Sequence, residues 1–155
     1  MARFLLGEVE EIYASAGVMV DPRIGEAGDV DTALIVLKFA NGCLGSIDNS
    51  RQAVYGYDQR VEAFGTGGKI STDNNFPNAA VLSDAHSVHR DLPLYFFLER
   101  YAESFAREMA EFVDAVRHDK PTPVTGADGR APVVLAFAAR KSVEENRPVK
   151  LSEIQ

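Results

Sequence analysis

The sequence predicts an α+β fold: a mostly antiparallel, open-faced sheet, with two long C-terminal helices packed on one face. Three observations carry this. Up to about residue 90, apolar residues alternate or form short runs divided by Gly, Pro, Asn and Asp. Asn41-Gly42 joins two such runs at hairpin spacing. From Leu94 the period changes, and Leu98, Tyr101, Phe105, Met109, Phe112, Val113 and Val116 recur at three and four.

In chain order, Ala2–Leu6 reads as a helical turn stopped by Gly7. No capping residue precedes it, so the chain reads as starting inside an element. Val9–Val20 reads as a strand, and Asp21–Gly28, with Pro22, Gly25 and Gly28, as a loop. Asp29–Ala40 is the strongest strand. Ala33, Ile35, Leu37 and Phe39 take one face and Thr32, Leu34, Val36 and Lys38 the other, so its middle is apolar on both and calls for cover on both. A two-residue type I′ turn at Asn41-Gly42 brings back Cys43–Arg51, setting Val36 opposite Ile47 and Phe39 opposite Leu44. Arg60–Phe64 and Lys69–Thr72 make a second hairpin around Gly65-Thr66-Gly67-Gly68, and Asp73-Asn74-Asn75 with Pro77 ends it. Ala79–Ser83 and Ser87–His89 suggest a third. An amphipathic helix then ends near Arg117-His118. Thr125 and Asp128 start another helix, reaching about Asn146; Pro132 is compatible with it only in the first turn. Pro148–Leu151 is a short last strand.

At 155 residues the chain predicts a single domain, 1–155, with a sizeable core. A net charge of −7 without a Lys/Arg cluster excludes a nucleic-acid partner and an acidic membrane surface. No apolar run reaches the ~18 residues of a membrane span. The single cysteine, Cys43, forms no internal disulfide, and a cytoplasmic location is expected.

The chemistry-bearing residues are few. Gly65, Gly67 and Gly68 sit between two strands, whereas a dinucleotide fingerprint stands between a strand and a helix, so a plain turn is expected. His86 and His89 lie near Asp84 and Asp91, but a metal site needs three or four converging ligands, and none is expected. Cys43 has no basic neighbour to lower its pKa and reads as a buried or semi-buried structural thiol. Tyr55, Tyr57 and Asp58 are the candidates for substrate binding, because a neutral polyol or sugar needs hydrogen-bonding groups beside an aromatic surface. The alternative is one core tyrosine and an aspartate capping a turn. No Ser/His/Asp, Cys/His or carboxylate-pair logic is present, so no catalytic residue is named.

Met1–Ala14, the strand–Asn41-Gly42–strand unit, the run from Tyr55-Gly56-Tyr57-Asp58 to Gly67-Gly68, and Arg147–Glu153 occur in an order that resembles the C-terminal domain of the Gfo/Idh/MocA oxidoreductases, over essentially the whole chain. The resemblance implies a fold like the C-terminal domain of glyceraldehyde-3-phosphate dehydrogenase. It implies a substrate-binding and oligomerisation domain whose partner, an N-terminal Rossmann domain holding NAD or NADP, is absent here. In such enzymes a lysine of a Glu-Lys-Pro motif, and an Asp and His preceding the segment that Met1 begins, oxidise a CH–OH group of inositol or a related sugar. The His takes the hydroxyl proton as hydride leaves for NAD, and the Lys and Asp orient and polarise. None of the three maps here, and His86, His89 and His118 do not match them. Hence no cofactor is expected on this chain, and alone it is expected to be inactive. Tyr57 matches a substrate-contacting tyrosine, with Tyr55 its neighbour. A homodimer or homotetramer through the open sheet face is implied. The rival reading is a stand-alone, non-enzymatic polyol-binding or dimerisation module.

Overall fold

The computed structural model describes residues 1–154. The elements are α1 (Ala2–Leu6), β1 (Val9–Gly17), α2 (Pro22–Glu26), β2 (Thr32–Phe39), β3 (Leu44–Ser50), β4 (Val61–Gly65), β5 (Gly68–Thr72), β6 (Val81–Ser83), β7 (Val88–Arg90), α3 (Phe97–Arg100), α4 (Ala102–Arg117), α5 (Gly126–Glu145) and β8 (Val149–Lys150). They fall into two compact units. One comprises Met1–Gln52 and the segment from Val124 onward; the other is Ala53–Pro123.

The first unit is an antiparallel four-stranded sheet, ordered β3-β2-β1-β8, with α5 packed on β1 and β8. Strand alternation divides its side chains. Ile12, Ala14, Ile35, Leu37, Phe39, Ile47 and Val149 join Leu135, Ala138, Ala139 and Val143 of α5 in one core. On the other face Tyr13, Leu34, Val36 and Leu44 are exposed, Leu34 to 61% and Leu44 to 73%. Thr125 caps α5: its side chain accepts the Asp128 N–H, and Asp128 Oδ2 accepts the Thr125 N–H at 3.0 Å. Arg3 Nη1 donates to Asp128 Oδ1 at 2.7 Å, so α1 is clasped to the start of α5. Buried Asp31 accepts the N–H groups of Met19, Val20 and Asp21 at 2.7, 2.8 and 3.0 Å, and the Thr32 hydroxyl at 2.9 Å.

The first hairpin departs from its predicted register. Gly42 N–H bonds Phe39 O, Phe39 N–H bonds Cys43 O, and Gly42 takes φ +87°. The connection thus has three residues, 40–42, and pairs Ile35 with Ile47 and Lys38 with Leu44. A type I′ turn needs positive φ at Asn41, which has none. Instead the Asn41 side chain accepts from Cys43 N and donates to Leu6 O at 2.9 Å, fixing the turn against α1. The one-residue difference puts Ile47 under α5 and turns Leu44 outward.

Three further readings change. Asp21–Gly28 contains α2: Asp21 accepts the Arg23 N–H as N-cap and Pro22 opens the helix, a start signature short enough to pass for a loop. Pro132 lies beyond the first turn, inside α5, and the helix continues through it without one N–H donor. Cys43 is exposed at the hairpin tip rather than buried.

The second unit holds the hairpins β4-β5 and β6-β7 together with α3 and α4. Gly65 pairs with Gly68, leaving Thr66-Gly67 as a two-residue loop, and Gly68 has φ +137°. The predicted helix from Leu94 to Arg117 is interrupted at Tyr101, where φ is −108° and ψ 11°.

Candidate polyol-binding site

Three stretches of the second unit converge on residues 55–60. Gly56 comes first. At φ +137° it occupies backbone space that other residues rarely reach, and an added Cβ would lie 2.7 Å from the Pro93 carbonyl oxygen. Only glycine lets the chain pass this close. Next to it the Tyr57 N–H donates to Leu94 O at 2.9 Å, and the Leu94 N–H to Asn75 O at 2.9 Å. The Asn74 side chain ties the next two residues, accepting the Gln59 N–H at 2.8 Å and donating to Asp58 Oδ1 at 2.7 Å.

The structure brings Tyr55, Tyr57 and Asp58 together, but on different terms. Asp58 accepts from Arg60 at both oxygens (2.8 and 2.9 Å), from Asn74, and from the Tyr55 hydroxyl. Those bonds fill about the four acceptor positions of a carboxylate. The Arg60 guanidinium and the Tyr55 hydroxyl hold the Asp58 carboxyl well below its ordinary pKa, despite partial desolvation. In return, the bond to Asp58 raises the Tyr55 phenol. The half-buried Tyr57 ring instead meets the Tyr101 ring edge-on, with centroids 5.7 Å apart and an 80° interplanar angle. Tyr101 donates to Gln59 Oε1 at 2.5 Å, and burial together with the Tyr57 hydroxyl raises its pKa.

Asn74 and Leu94 also line a wide-mouthed hollow of about 710 Å³, shared with Asn75, Phe76, Asn78 and Arg90. The Arg90 guanidinium stacks 3.3 Å from the Phe76 ring centre. Amides, a cation and an aromatic face thus surround one concavity beside the tyrosine cluster, the mixture a neutral polyhydroxylated ligand uses. Asn74, Gln59 and Tyr101 build the candidate site, although in the sequence they read as a strand end, a strand-flanking residue and part of a helical stripe. Nothing local in the sequence marks them, because their partners stand 15, 15 and 42 residues away.

The remaining candidates stay apart from this cluster. Ser87 Oγ and His89 Nε2 are 2.6 Å apart on an exposed hairpin, but Asp84 bonds the N–H groups of His86 and Ser87 and not the histidine ring. Among the described residues, no three His, Cys, Asp or Glu side chains are grouped to hold a metal ion, and no helix is long and apolar enough to cross a membrane. The glycines at 65, 67 and 68 belong to a strand–strand turn with no helix N-terminus after them, so these residues do not fit a dinucleotide pyrophosphate.

The fold is that of an oxidoreductase domain. Residues 1–151 match the family model described as the oxidoreductase family, C-terminal alpha/beta domain, and the chain belongs to the Gfo/Idh/MocA family. It is 51% identical to the myo-inositol 2-dehydrogenase of Thermotoga maritima over 155 residues, which are 99% of this chain and 46% of that protein. It is 31% identical to the scyllo-inositol 2-dehydrogenase (NAD(+)) of Bacillus subtilis, over 97% of this chain and 44% of that one. The crystal structure of a probable dehydrogenase from Thermotoga maritima superposes with a TM-score of 0.95 at 50% identity, covering 99% of this chain and 46% of that one. The chain therefore spans about half the length of the relatives it matches. The antiparallel sheet with its C-terminal helix is the fold those relatives share.

Proposed function

We propose that this chain is the substrate-binding and oligomerisation part of an NAD(P)-dependent enzyme that oxidises a CH–OH group of inositol or a related polyol. The observation that carries the reading is the Tyr57 ring, buttressed by Tyr101 in a segment whose supports, Asn74 and Leu94, line the polar hollow. Tyr57 contacts the polyol. Tyr55 and Asp58 form the rim behind it, their mutual hydrogen bond fixing the approach of the loop. The names of the relatives supply the substrate class and the cofactor. The nicotinamide cofactor and the groups that move the proton and hydride are assigned to residues outside these 155, because the glycine turn does not suit a dinucleotide and the relatives run to about twice this length. The open face bearing Tyr13, Leu34, Val36 and Leu44 is assigned to a second copy of the chain, in a dimer or a tetramer.

The test is Tyr57→Phe in the full-length enzyme carrying this chain. Losing one hydrogen bond to a bound polyol costs about 0.5–1.5 kcal/mol, so kcat/KM for myo-inositol falls a few-fold to tenfold while NAD affinity stays unchanged. Unaltered kinetics overturn the assignment. The 155-residue chain alone neither binds NADH saturably at micromolar levels nor reduces NAD with myo-inositol.

A further inference from the structure

Among the described residues, Tyr57 carries one ring contact, and Tyr101 makes it. Tyr101 stands at the junction of α3 and α4 and meets the Phe105 ring as well (ring centroids 6.1 Å apart, interplanar angle 70°). Its hydroxyl reaches back 42 residues along the chain to Gln59 Oε1 at 2.5 Å. Gln59 is itself fixed by its N–H to Asn74, and Tyr57 by its N–H to Leu94. The backbone on both sides of Asp58 is therefore pinned, and the Tyr57 side chain is set by the edge of a ring that is anchored to the same short segment. This makes a closed circuit: Tyr57 ring, Tyr101 ring, Tyr101 hydroxyl, Gln59 amide, and back along two residues of chain. A ring held only by packing on one side swings about χ1 and χ2; a ring inside such a circuit does not.

We propose that Tyr101 is a positioning residue for polyol recognition: it touches no substrate and sets the Tyr57 hydroxyl through its ring edge and its hydrogen bond to Gln59. This rests on the reading of Tyr57 as the polyol contact. The geometry distinguishes the two rings. Tyr101 donates its hydroxyl to a protein amide and also feels the Tyr57 hydroxyl, while Tyr57 lies in the segment whose supports line the hollow. Misplacing a contacting hydroxyl by a fraction of an ångström weakens the bond it makes, and that loss appears with substrate rather than in the fold.

The experiment is a double-mutant cycle in the full-length enzyme with myo-inositol and NAD. Tyr101→Phe keeps the ring and removes the bond to Gln59. It raises KM for myo-inositol roughly three- to tenfold, with KM for NAD unchanged and the enzyme still folded. Gln59→Met removes the acceptor from the other side and reproduces that rise, which guards against a folding defect peculiar to position 101. In a Tyr57→Phe background both substitutions become silent, because the hydroxyl they position is gone. Additive effects, or a Tyr101→Phe enzyme with unaltered KM, overturn the positioning role while leaving Tyr57 as the contact. A Tyr57→Phe enzyme with unchanged kinetics overturns the underlying reading instead.

Discussion

The Ser142 hydroxyl closes the edge of β1, accepting the Ala14 N–H at 2.9 Å and donating to Arg147 O at 2.6 Å. β8 pairs with β1 only at Glu11 and Ile12, so beyond that point the strand edge has no ladder partner. A side chain of α5 does the work of a strand there. Ser142 is fully buried, its bond to Ala14 is buried, and its bond to Arg147 O is part-buried.

Ser142→Ala strands one donor and one acceptor. The buried Ala14 N–H costs about 1–3 kcal/mol when orphaned, and the part-buried Arg147 O less, so the expected loss is about 1–3 kcal/mol. Urea unfolding should show a lower midpoint at an unchanged slope. A loss below about 0.5 kcal/mol would mean the edge is not sealed as described.

Gly56→Ala meets two obstacles at once. A φ of +137° is open almost only to glycine, a strain of about 1–3 kcal/mol, and the new methyl would lie 2.7 Å from Pro93 O, a backbone atom that cannot turn away. Thermal unfolding should move down by several degrees, and polyol affinity should fall with it, because residues 55–59 must shift. An alanine variant with wild-type stability and affinity would contradict the geometry.

Asp31 predicts an acid limb. Burial alone would raise its pKa, but the N–H groups of Met19, Asp21 and Val20 outweigh that and bring it to about 2, below its ordinary 3.8. The unfolded chain therefore takes up the proton first. The stabilisation is complete above about pH 4 and drains away as pH falls towards about 2. Asp31→Asn should lower stability at neutral pH and flatten that part of the acid transition. An unchanged acid profile counts against the three-donor clamp.

On the open sheet face, Leu34→Glu with Val36→Lys should give a folded monomer, whereas Ile35→Glu with Leu37→Lys, set under α5, should unfold the core by burying charge. Sedimentation of the unmutated domain at tens of micromolar should show a dimer or larger; a monomer refutes the use of this face.

Most of the sheet was legible because strand alternation is a local signal: Leu37 and Phe39 sit in the core and Leu34 and Val36 outside it, as their parity requires. The capping box at Thr125 and Asp128 was legible for the same reason, being four residues long. The register of β2 with β3 was not. It depends on whether Asn41 adopts positive φ; it does not, and its side chain bonds Leu6 O, 35 positions away. The site divides likewise. Tyr55, Tyr57 and Asp58 announce themselves as neighbours, but what occupies the Asp58 oxygens and what holds Tyr57 come from residues 74 and 101, which nothing in the sequence links to them.

The backbone leaves the sheet unit once, near Gln52, and re-enters it once, near Val124. Every residue assigned here to polyol contact is encoded between those two crossings, and every residue assigned to contact between copies is encoded outside them. The two tasks are thus inherited on separate stretches of gene. On that assignment, replacing codons 53–123 would change the residues proposed to meet the ligand and leave those of the outer face of β2 and β3 as encoded. Substrate choice and assembly would then be free to change one without the other.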